Sequence, residues 1–418
     1  MSVPKLRFKE FDGDWSESKL KDCIDSIDSG WSPQCESYPA DENEWAVLKT
    51  TSVDWDGFKA NFNKKLPSNL EARFEIEVKP NDILVTRAGP TERVGVVAVV
   101  PHNVRSKLMI SDKLIRLKAN NENNPEFLGI SLSSVKCQNQ LQSKTSGLAK
   151  SQTNISQKIL CDVSLMTPAK AEQTKIASFL SNVDEKISQL TQKHALLSQY
   201  KQGMMQKLFS QQIRFKADDG SEFGEWVKAK VGNITETIFG YPFDSKEMVE
   251  DNNGIPLMRG INIGECHIRH SFELDRFFLK DTSKLEKYFV RVNDIVLSMD
   301  GSKVGRNSAF VTEKDAGSLL VQRVCILREK ENTNIQYVYQ WIISKEFHRY
   351  VDQVKTSSGI PHISGKQIQD YEISYPCLEE QTKIANFLSA IDQKIEVVTQ
   401  QIEQAKTWKK GLLQQMFV

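Results

Sequence analysis

Long apolar stretches are absent from this sequence. None of its 418 residues belongs to an apolar run of about 18 residues, the length that a membrane-spanning helix needs. The N-terminus passes from Met1 directly into charged sequence, without an apolar signal region. We therefore expect a cytoplasmic protein that has no contact with a membrane.

Cysteines are few, and their arrangement excludes a disulfide framework. There are seven, an odd number, and no Cys-x-x-Cys pair occurs, which favours reduced thiols. Cys266, His267 and His270 lie close together along the chain. A lone cluster of this kind without a second ligand pair is usually structural, so we predict no metal site.

An excess of charge of either sign is also missing. Lysine and arginine together number 55 against 54 acidic residues, which gives a net charge of +1. Composition therefore does not indicate a nucleic-acid binder, and any DNA-facing surface must come from local clustering of basic residues. The length suits two or three domains, and 39% hydrophobic residues suit globular cores.

Motifs for catalysis are lacking as well. An adenine methyltransferase needs an (Asp/Asn/Ser)-Pro-Pro-(Tyr/Phe) loop to hold its flipped base. The nearest match, residues 124–127 (Asn-Pro-Glu-Phe), lacks the second proline and is better explained as the start of a helix. No glycine-rich motif for S-adenosylmethionine and no P-loop for ATP occur. We therefore predict no catalytic residue in this chain.

What the sequence does contain is an internal repeat. Residues 172–180 (EQTKIASFL) and 380–388 (EQTKIANFL) agree at eight of nine positions at an offset of 208. Shorter motifs recur in the same order, at offsets between 207 and 212. These pairs are Arg7-Phe8 with Arg214-Phe215, Gly13-Asp14-Trp15 with Gly224-Glu225-Trp226, and Asn81-Asp82-Ile83 with Asn293-Asp294-Ile295. Each half of the chain is therefore predicted to be one globular unit followed by one conserved segment.

Each conserved segment predicts a long helix with a coiled-coil seam, because apolar residues alternate at spacings of four and three. The seam residues are Ile176, Leu180, Val183, Ile187 and Leu190 in the first segment, and Ile384, Leu388, Ile391, Ile395 and Val398 in the second. Lys201 and Lys409 interrupt the two seams at matching positions. A polar seam residue can fix register and partner, and the alternative is an ordinary flanking lysine that extends to solvent.

The globular parts predict a mixture of strands and helices. Short β-branched runs such as residues 94–100 are typical of strands. Residues 334–354 predict one amphipathic helix. Frequent turn signals separate these elements.

The tandem order of the motifs resembles the specificity subunits of type I restriction-modification systems. The resemblance covers essentially the whole chain. It rests on the paired Arg-Phe…Gly-(Asp/Glu)-Trp motifs, the two Asn-Asp-Ile-(Leu/Val) segments and, above all, the two Glu-Gln-Thr-Lys-Ile-Ala-x-Phe-Leu helices. Each motif alone is a weak signal, whereas their repeated order is specific.

The resemblance implies a mixed α/β fold with a pseudo-twofold internal repeat. Two target recognition domains, 1–165 and 212–372, would each have a small β-rich core plus helices. Two conserved spacer helices, 166–211 and 373–418, would join them as an antiparallel coiled coil.

A non-catalytic role in DNA recognition is also implied. Each domain would recognise one half of a bipartite, asymmetric target on double-stranded DNA. Two modification (methyltransferase) subunits and the restriction (motor-nuclease) subunits would dock on the chain. S-adenosylmethionine, ATP and Mg²⁺ are expected on those partners, and no cofactor is expected on this chain.

Candidate DNA contacts come from three pairs of matching segments. Glycines in the loops 89–95 and 301–306 allow close backbone approach, and basic residues there and in 144–150 and 355–366 could reach phosphates or guanines. The candidates are Arg93, Lys144, Lys150, Lys303, Arg306, Lys355, His362 and Lys366. The third pair is Gly30-Trp31 and Gly240-Tyr241, whose aromatic rings are expected to pack rather than to stack on bases. For every basic candidate, a solvated surface charge is the alternative.

Three other functions are alternatives to this one. The recognition subunit of a type IIB-like restriction-modification enzyme would share all of these features. A self-contained DNA methyltransferase or nuclease would need the motifs that are missing. A plain coiled-coil assembly protein would not carry duplicated, divergent globular domains.

Overall fold

The computed structural model describes residues 4–145, 153–356 and 359–417. The chain divides into two compact units. Unit 1 comprises residues 1–191 and 400–418, and unit 2 comprises residues 192–399. Each globular half therefore lies within one unit, whereas each long helix contributes part of its length to both.

Unit 1 contains a four-stranded antiparallel sheet and a smaller three-stranded sheet. In spatial order, the first consists of Ile24–Ser29, Leu114–Ala119, Ile83–Thr86 and Val97–Val99. The second consists of Leu108–Met109, Ala46–Leu48 and Asn63–Lys65. Two-stranded pairs complete the unit: Ser16–Lys19 with Ser164–Thr167, Ala88–Gly89 with Thr153–Asn154, and Val53–Asp54 with Gly57–Phe58. The predicted strand over 94–100 is thus confined to Val97–Val99, because Val94 and Gly95 lie in the preceding turn.

Unit 2 has the same plan. Its four-stranded antiparallel sheet consists of Thr235–Phe239, Val324–Glu329, Ile295–Ser298 and Ser308–Phe310. Its three-stranded sheet consists of Phe277–Phe278, Ile255–Met258 and Leu319–Leu320. A two-stranded pair, Val227–Lys230 with Glu372–Tyr375, corresponds to the first pair of unit 1. The two large sheets have the same strand order, so the repeat in the sequence is also a repeat in the structure.

Short helices pack beside these sheets. They are Pro125–Leu132, Val135–Gln142 and Gln157–Cys161 in unit 1, and Val231–Ile234, Ile335–Ile342, Lys345–Val354 and Gly365–Asp370 in unit 2. Short 3-10 turns are Leu20–Asp22, Thr50–Ser52, Phe74–Ile76, Thr91–Arg93, Ser245–Glu247, Gly260–Asn262 and Glu286–Tyr288.

The single helix predicted over 334–354 is wrong, because the chain forms two helices there. Ser344 interrupts the first one: its hydroxyl donates to the carbonyl of Trp341 at 2.7 Å and accepts from the amide of Phe347 at 3.2 Å. Serine in this position caps the N-terminus of a new helix. The helix start predicted for 124–127 is confirmed, since Asn124 caps Pro125–Leu132 by accepting from the amide of Phe127.

The two long helices are Lys170–Phe209 and Leu378–Met416, which we call spacer helix 1 and spacer helix 2. In unit 1 the C-terminal end of spacer helix 2 packs on the N-terminal half of spacer helix 1, in the same core as the sheet. In unit 2 the C-terminal end of spacer helix 1 packs on the N-terminal half of spacer helix 2. This is the predicted antiparallel pairing, and the predicted seam residues are buried or half-buried in it.

No helix of the described ranges is both long enough and apolar enough to cross a membrane.

Candidate nucleic-acid interface

Two of the repeated motifs together form a clamp at the start of each spacer helix. The buried Glu172 carboxylate accepts two hydrogen bonds from the Arg7 guanidinium, both at 2.7 Å, and one from the Trp15 indole at 3.2 Å. The Arg7 guanidinium also donates to the carbonyl of Gly13. The Arg-Phe…Gly-Asp-Trp motif is therefore conserved between the halves because it fastens each domain to its own helix.

The clamp of unit 2 uses the matching residues. Glu380 accepts from Arg214 at 2.7 and 3.1 Å and from the indole of Trp226 at 2.8 Å, and its side chain is fully buried. Buried carboxylates are stable only when they are paired and hydrogen-bonded, and here three donors meet that need. These motifs therefore have a structural role in holding each domain on its helix.

The Asn-Asp-Ile motif is structural as well. Asn81 and Asn293 have left-handed backbone conformations, with φ of 69° and 71°, which asparagine tolerates better than most residues. The following aspartates, Asp82 and Asp294, are buried and directly precede the strands Ile83–Thr86 and Ile295–Ser298. Asp294 accepts two hydrogen bonds from Arg328, both at 2.8 Å.

The seam lysines both form ion pairs with matching aspartates of the other spacer helix. Lys201 Nζ lies 2.6 Å from Asp392 Oδ1 in unit 2, and Lys409 Nζ lies 2.6 Å from Asp184 Oδ1 in unit 1. Asp184 and Asp392 occupy equivalent places in the repeat. The geometry therefore favours the interpretation that these lysines fix the register of the helix pair over the interpretation that they are ordinary flanking lysines.

Four segments of unit 1 lie together at one end of its large sheet, and they include Gly30, Trp31 and Gly89 of the predicted segments but not Arg93 or Lys144. The amide of Gly30 donates to the carbonyl of Ser111 at 3.2 Å, and the amide of Arg87 donates to the carbonyl of Lys113 at 2.8 Å. The amide of Ile155 in turn donates to the carbonyl of Arg87 at 3.0 Å. We call this surface, formed by residues 30–32, 87–89, 111–113 and 153–155, the loop edge of unit 1.

Unit 2 builds the same surface from matching segments. The amide of Met299 donates to the carbonyl of Arg323, and the amide of Ile363 donates to the carbonyl of Met299, both at 2.9 Å. The amide of Gln322 donates to the carbonyl of Tyr241 at 2.8 Å. Residues 240–242, 299–301, 321–323 and 361–363 therefore form the loop edge of unit 2.

Close backbone contact explains the glycine that precedes each aromatic residue. A Cβ on Gly30 would lie 1.8 Å from the carbonyl oxygen of Ile110, and one on Gly240 would lie 2.0 Å from that of Val321. Of the aromatic residues that follow, Trp31 is half-buried and Tyr241 is 36% exposed. The Trp31 ring lies 4.1 Å below the Arg73 guanidinium, and the Tyr241 ring contacts Phe243.

Arg93 is held inside unit 1. Its guanidinium donates to Asp54 Oδ1 at 2.7 Å and to the carbonyl of Val53 at 2.9 Å. Hydrogen bonds from Lys59 and from Arg93 lower the pKa of the Asp54 carboxyl to about 2. At neutral pH this site is a closed ion-pair network, and Arg93 stays a predicted DNA contact only if DNA displaces Asp54.

Basic candidates in unit 2 also have acidic partners. Arg306 and Lys355 share Asp352 at 2.6 and 2.7 Å, and they hold the pKa of that carboxyl well below its usual range. Lys303 pairs with Glu265 at 2.8 Å, and Lys366 pairs with Asp370 at 3.0 Å. The last two pairs are largely exposed, so solvent screens them and leaves both lysines accessible.

Three candidates remain. Lys144 is exposed near the end of the helix Val135–Gln142. Lys150 lies outside the described residues. His362 lies on the loop edge of unit 2, where its ring approaches the Thr356 hydroxyl at 3.3 Å.

A family model for the type I restriction modification DNA specificity domain matches residues 13–199 and 224–407, one copy in each half. The chain belongs to this family. A stretch of 178 residues is 38% identical to the EcoEI type I restriction enzyme specificity subunit of Escherichia coli, covering 42% of this chain and 30% of that protein. The MjaVIII specificity subunit of Methanocaldococcus jannaschii is 26% identical and covers 97% of this chain and 94% of its own length.

Two solved structures share the fold. The crystal structure of the type I restriction-modification S subunit from M. genitalium has a TM-score of 0.64 at 16% identity, covering 100% of this chain and 99% of that one. A chain from a structure of complex assembly and conformational transition in the type I R-M system has a TM-score of 0.53 at 16% identity, covering 96% of each chain. The family confirms the predicted class, a DNA specificity subunit, and the two structures confirm the predicted fold.

Sequence reasoning missed three basic residues of this specificity subunit. Arg87, Lys113 and Arg323 are exposed on the loop edges and have no ion-pair partner within the ranges that the structure describes. A signal did exist: Lys113 and Arg323 are cations at the same place in the repeat, at an offset of 210. The turns 111–113 and 321–323 carry no glycine, so the glycine pattern that indicated the other candidate loops does not indicate them.

The Cys266 cluster also has a local explanation. His270 Nε2 lies 2.8 Å from Asp315, and the ring of His267 bonds to the backbone of Glu265 at 2.8 Å. Across 4–145, 153–356 and 359–417, no three His, Cys, Asp or Glu side chains are arranged to hold a metal ion.

Proposed function

We propose that each unit reads one half of a bipartite, asymmetric target on double-stranded DNA through its loop edge. The observation that supports this proposal is that the two edges share one backbone framework but present different side chains. Unit 1 presents the exposed Arg87 where unit 2 has the buried Met299, and it has Ala88 where unit 2 has the half-buried Asp300. Two domains with the same scaffold and unlike edges are suited to two different half-sites.

The exposed cations give each edge its attraction for DNA. Lys113 and Arg323 occupy matching turns, and neither is neutralised by a neighbouring acid within the described ranges. Such side chains bind phosphates or, in the case of arginine, the O6 and N7 atoms of guanine. This answers the question raised by the net charge of +1, because most of the other candidate cations are already paired within the protein.

The proposal includes partners. Two modification subunits and the restriction subunits would dock on the chain, and they would bind S-adenosylmethionine, ATP and Mg²⁺. Support comes from the spacer helices, which expose large apolar side chains to solvent, an arrangement typical of a protein interface. These side chains are Leu196, Tyr200, Val397 and Trp408.

Exchange of one recognition domain tests the proposal. Residues 1–165 are replaced by the same region of a related specificity subunit, and the methylated adenines produced with the modification subunit are mapped by sequencing. We expect one half of the target to change and the other half to persist. The reciprocal exchange of residues 212–372 is the matched control and should change only the other half. Both halves changing together in either chimera would contradict the proposal.

A further inference from the structure

A polar cleft of about 570 Å³ opens beside the loop edge of unit 2. Its wall includes the side chains of Ser298, Asp300 and Asn307. Asp300 and Gly301 belong both to the cleft and to the loop edge, because the amide of Gly301 donates to the carbonyl of Pro361 at 3.0 Å. The cleft is therefore placed to receive a group that approaches this edge.

The carboxylate of Asp300 has no partner in the described part of the chain. Only its backbone oxygen is bonded, by the Ser298 hydroxyl at 3.2 Å. Of the two basic side chains of the cleft, Lys303 pairs with Glu265 at 2.8 Å, and Arg269 donates to the carbonyl of Ile263 at 3.0 Å. Neither is bonded to Asp300, so the Asp300 carboxylate is free to accept a hydrogen bond at a surface that we propose faces DNA.

Unit 1 has no carboxylate at this place. The residue that matches Asp300 is Ala88. The cleft wall next to the carboxylate is kept open by Gly260, because a Cβ there would lie 3.0 Å from the Ser298 hydroxyl. The matching residue in unit 1 is Thr50, which also begins a 3-10 turn. The free carboxylate and the glycine beside it therefore belong to unit 2 and have no counterpart at the matching positions of unit 1.

We infer that Asp300 is a specificity-determining residue whose carboxylate accepts a hydrogen bond from the exocyclic amino group of a cytosine or an adenine in the half-site of unit 2. The inference rests on the proposed function. A carboxylate repels phosphates, so Asp300 cannot increase general affinity for DNA. In the major groove, cytosine N4 and adenine N6 are donors, whereas guanine O6 and thymine O4 are acceptors. Asp300 therefore favours the first two bases and rejects the others.

The test uses the full chain in complex with its modification subunit. The wild-type complex methylates a plasmid library of random sequence, and the methylated sites define the target. Asp300→Ala removes the acceptor, and Asp300→Asn keeps an acceptor oxygen without the charge. Glu313→Gln is the matched control, since it removes the same charge from an exposed residue that does not line the cleft.

With Asp300→Ala, we expect the preference for cytosine or adenine to fall about tenfold at one position of the unit 2 half-site. All other positions should be unchanged, and Asp300→Asn should lie between wild type and Asp300→Ala. If a variant methylates too weakly to map, equilibrium binding to the wild-type target and to duplexes with single base-pair changes gives the same ratio. The inference is overturned if both Asp300 variants keep the wild-type preference within about twofold, or if Glu313→Gln loses it equally. A wild-type complex that prefers no sequence would overturn the proposed function itself.

Discussion

The two units show which parts of the repeat the chain preserves and which it varies. The clamp on Glu172 recurs on Glu380, and the pair of Lys409 with Asp184 recurs as Lys201 with Asp392. These contacts position the sheets against the spacer helices. Exposed side chains on the loop edges differ, as at Arg87 of unit 1, whereas the crowded glycines Gly30 and Gly240 are kept. A few exposed residues can therefore change without loss of the scaffold.

The interior also differs at one place, where the first helix packs on the large sheet. In unit 1 this helix carries Gly129, and a Cβ there would lie 2.4 Å from Val99. In unit 2 the matching residues are Tyr339 and Phe310, whose ring centroids lie 5.6 Å apart. Unit 1 has a cleft of about 1020 Å³ whose wall includes Gly129, Val99 and Leu413. The repeat therefore tolerates different packing distances between helix and sheet, provided that the clamp is kept.

Removal of the clamp carboxylate should have the largest effect. We expect Glu380→Ala to destabilise unit 2 by about 3 kcal/mol, because Arg214 and Trp226 lose their partner in a buried site. Glu172→Ala should destabilise unit 1 by a similar amount, since its shorter bonds to Arg7, both 2.7 Å, offset its longer indole bond of 3.2 Å. Hydrogen exchange measured by mass spectrometry should show the loss of protection confined to the unit that carries the substitution. The control is Glu185→Ala, at an exposed position of spacer helix 1. Equal losses for Glu185→Ala and Glu172→Ala would show that the clamp does not stabilise the unit.

Substitution of the crowded glycines should have the next largest effect. Gly30→Ala and Gly240→Ala each force a backbone carbonyl away from a methyl group. We expect each substitution to lower the free energy of unfolding of its unit by about 1–3 kcal/mol. Urea denaturation of the two variants measures this loss. Gly13→Ala is the matched control, because no heavy atom lies within 4 Å of its added Cβ. A loss in only one unit would mean that the two edges are less alike than their hydrogen bonds indicate.

The seam lysines should show the smallest effect and a difference between the units. The side chain of Lys201 is 9% exposed, whereas that of Lys409 is 30% exposed. Double-mutant cycles of Lys201→Met with Asp392→Asn and of Lys409→Met with Asp184→Asn measure the two couplings. We expect the coupling energy of the Lys201–Asp392 pair to be about 1 kcal/mol larger than that of the Lys409–Asp184 pair. Salt should weaken the second coupling more, since solvent screens exposed pairs. Equal couplings at low and high salt would contradict this ranking.

The local pattern of the sequence was enough to predict the scaffold. Spacer segments predicted at 166–211 and 373–418 correspond to the helices Lys170–Phe209 and Leu378–Met416. Helical periodicity depends on residues three and four apart, and a duplicated motif is visible without knowledge of its contacts. The function of the Arg-Phe and Trp motifs was not visible, because Arg7 and Glu172 are 165 residues apart.

Only the tertiary structure decided which basic residues are free. The glycine-containing loop around Arg93 predicts a DNA contact. In the structure, however, Arg93 donates to Asp54, which is 39 residues away along the chain. Arg306 is held in the same way by Asp352, 46 residues away. Lys113 reaches the loop edge only because strand pairing brings its turn beside Arg87. Charge is a property of the residue, but its availability depends on long-range neighbours, and those are set by how the sheets pair.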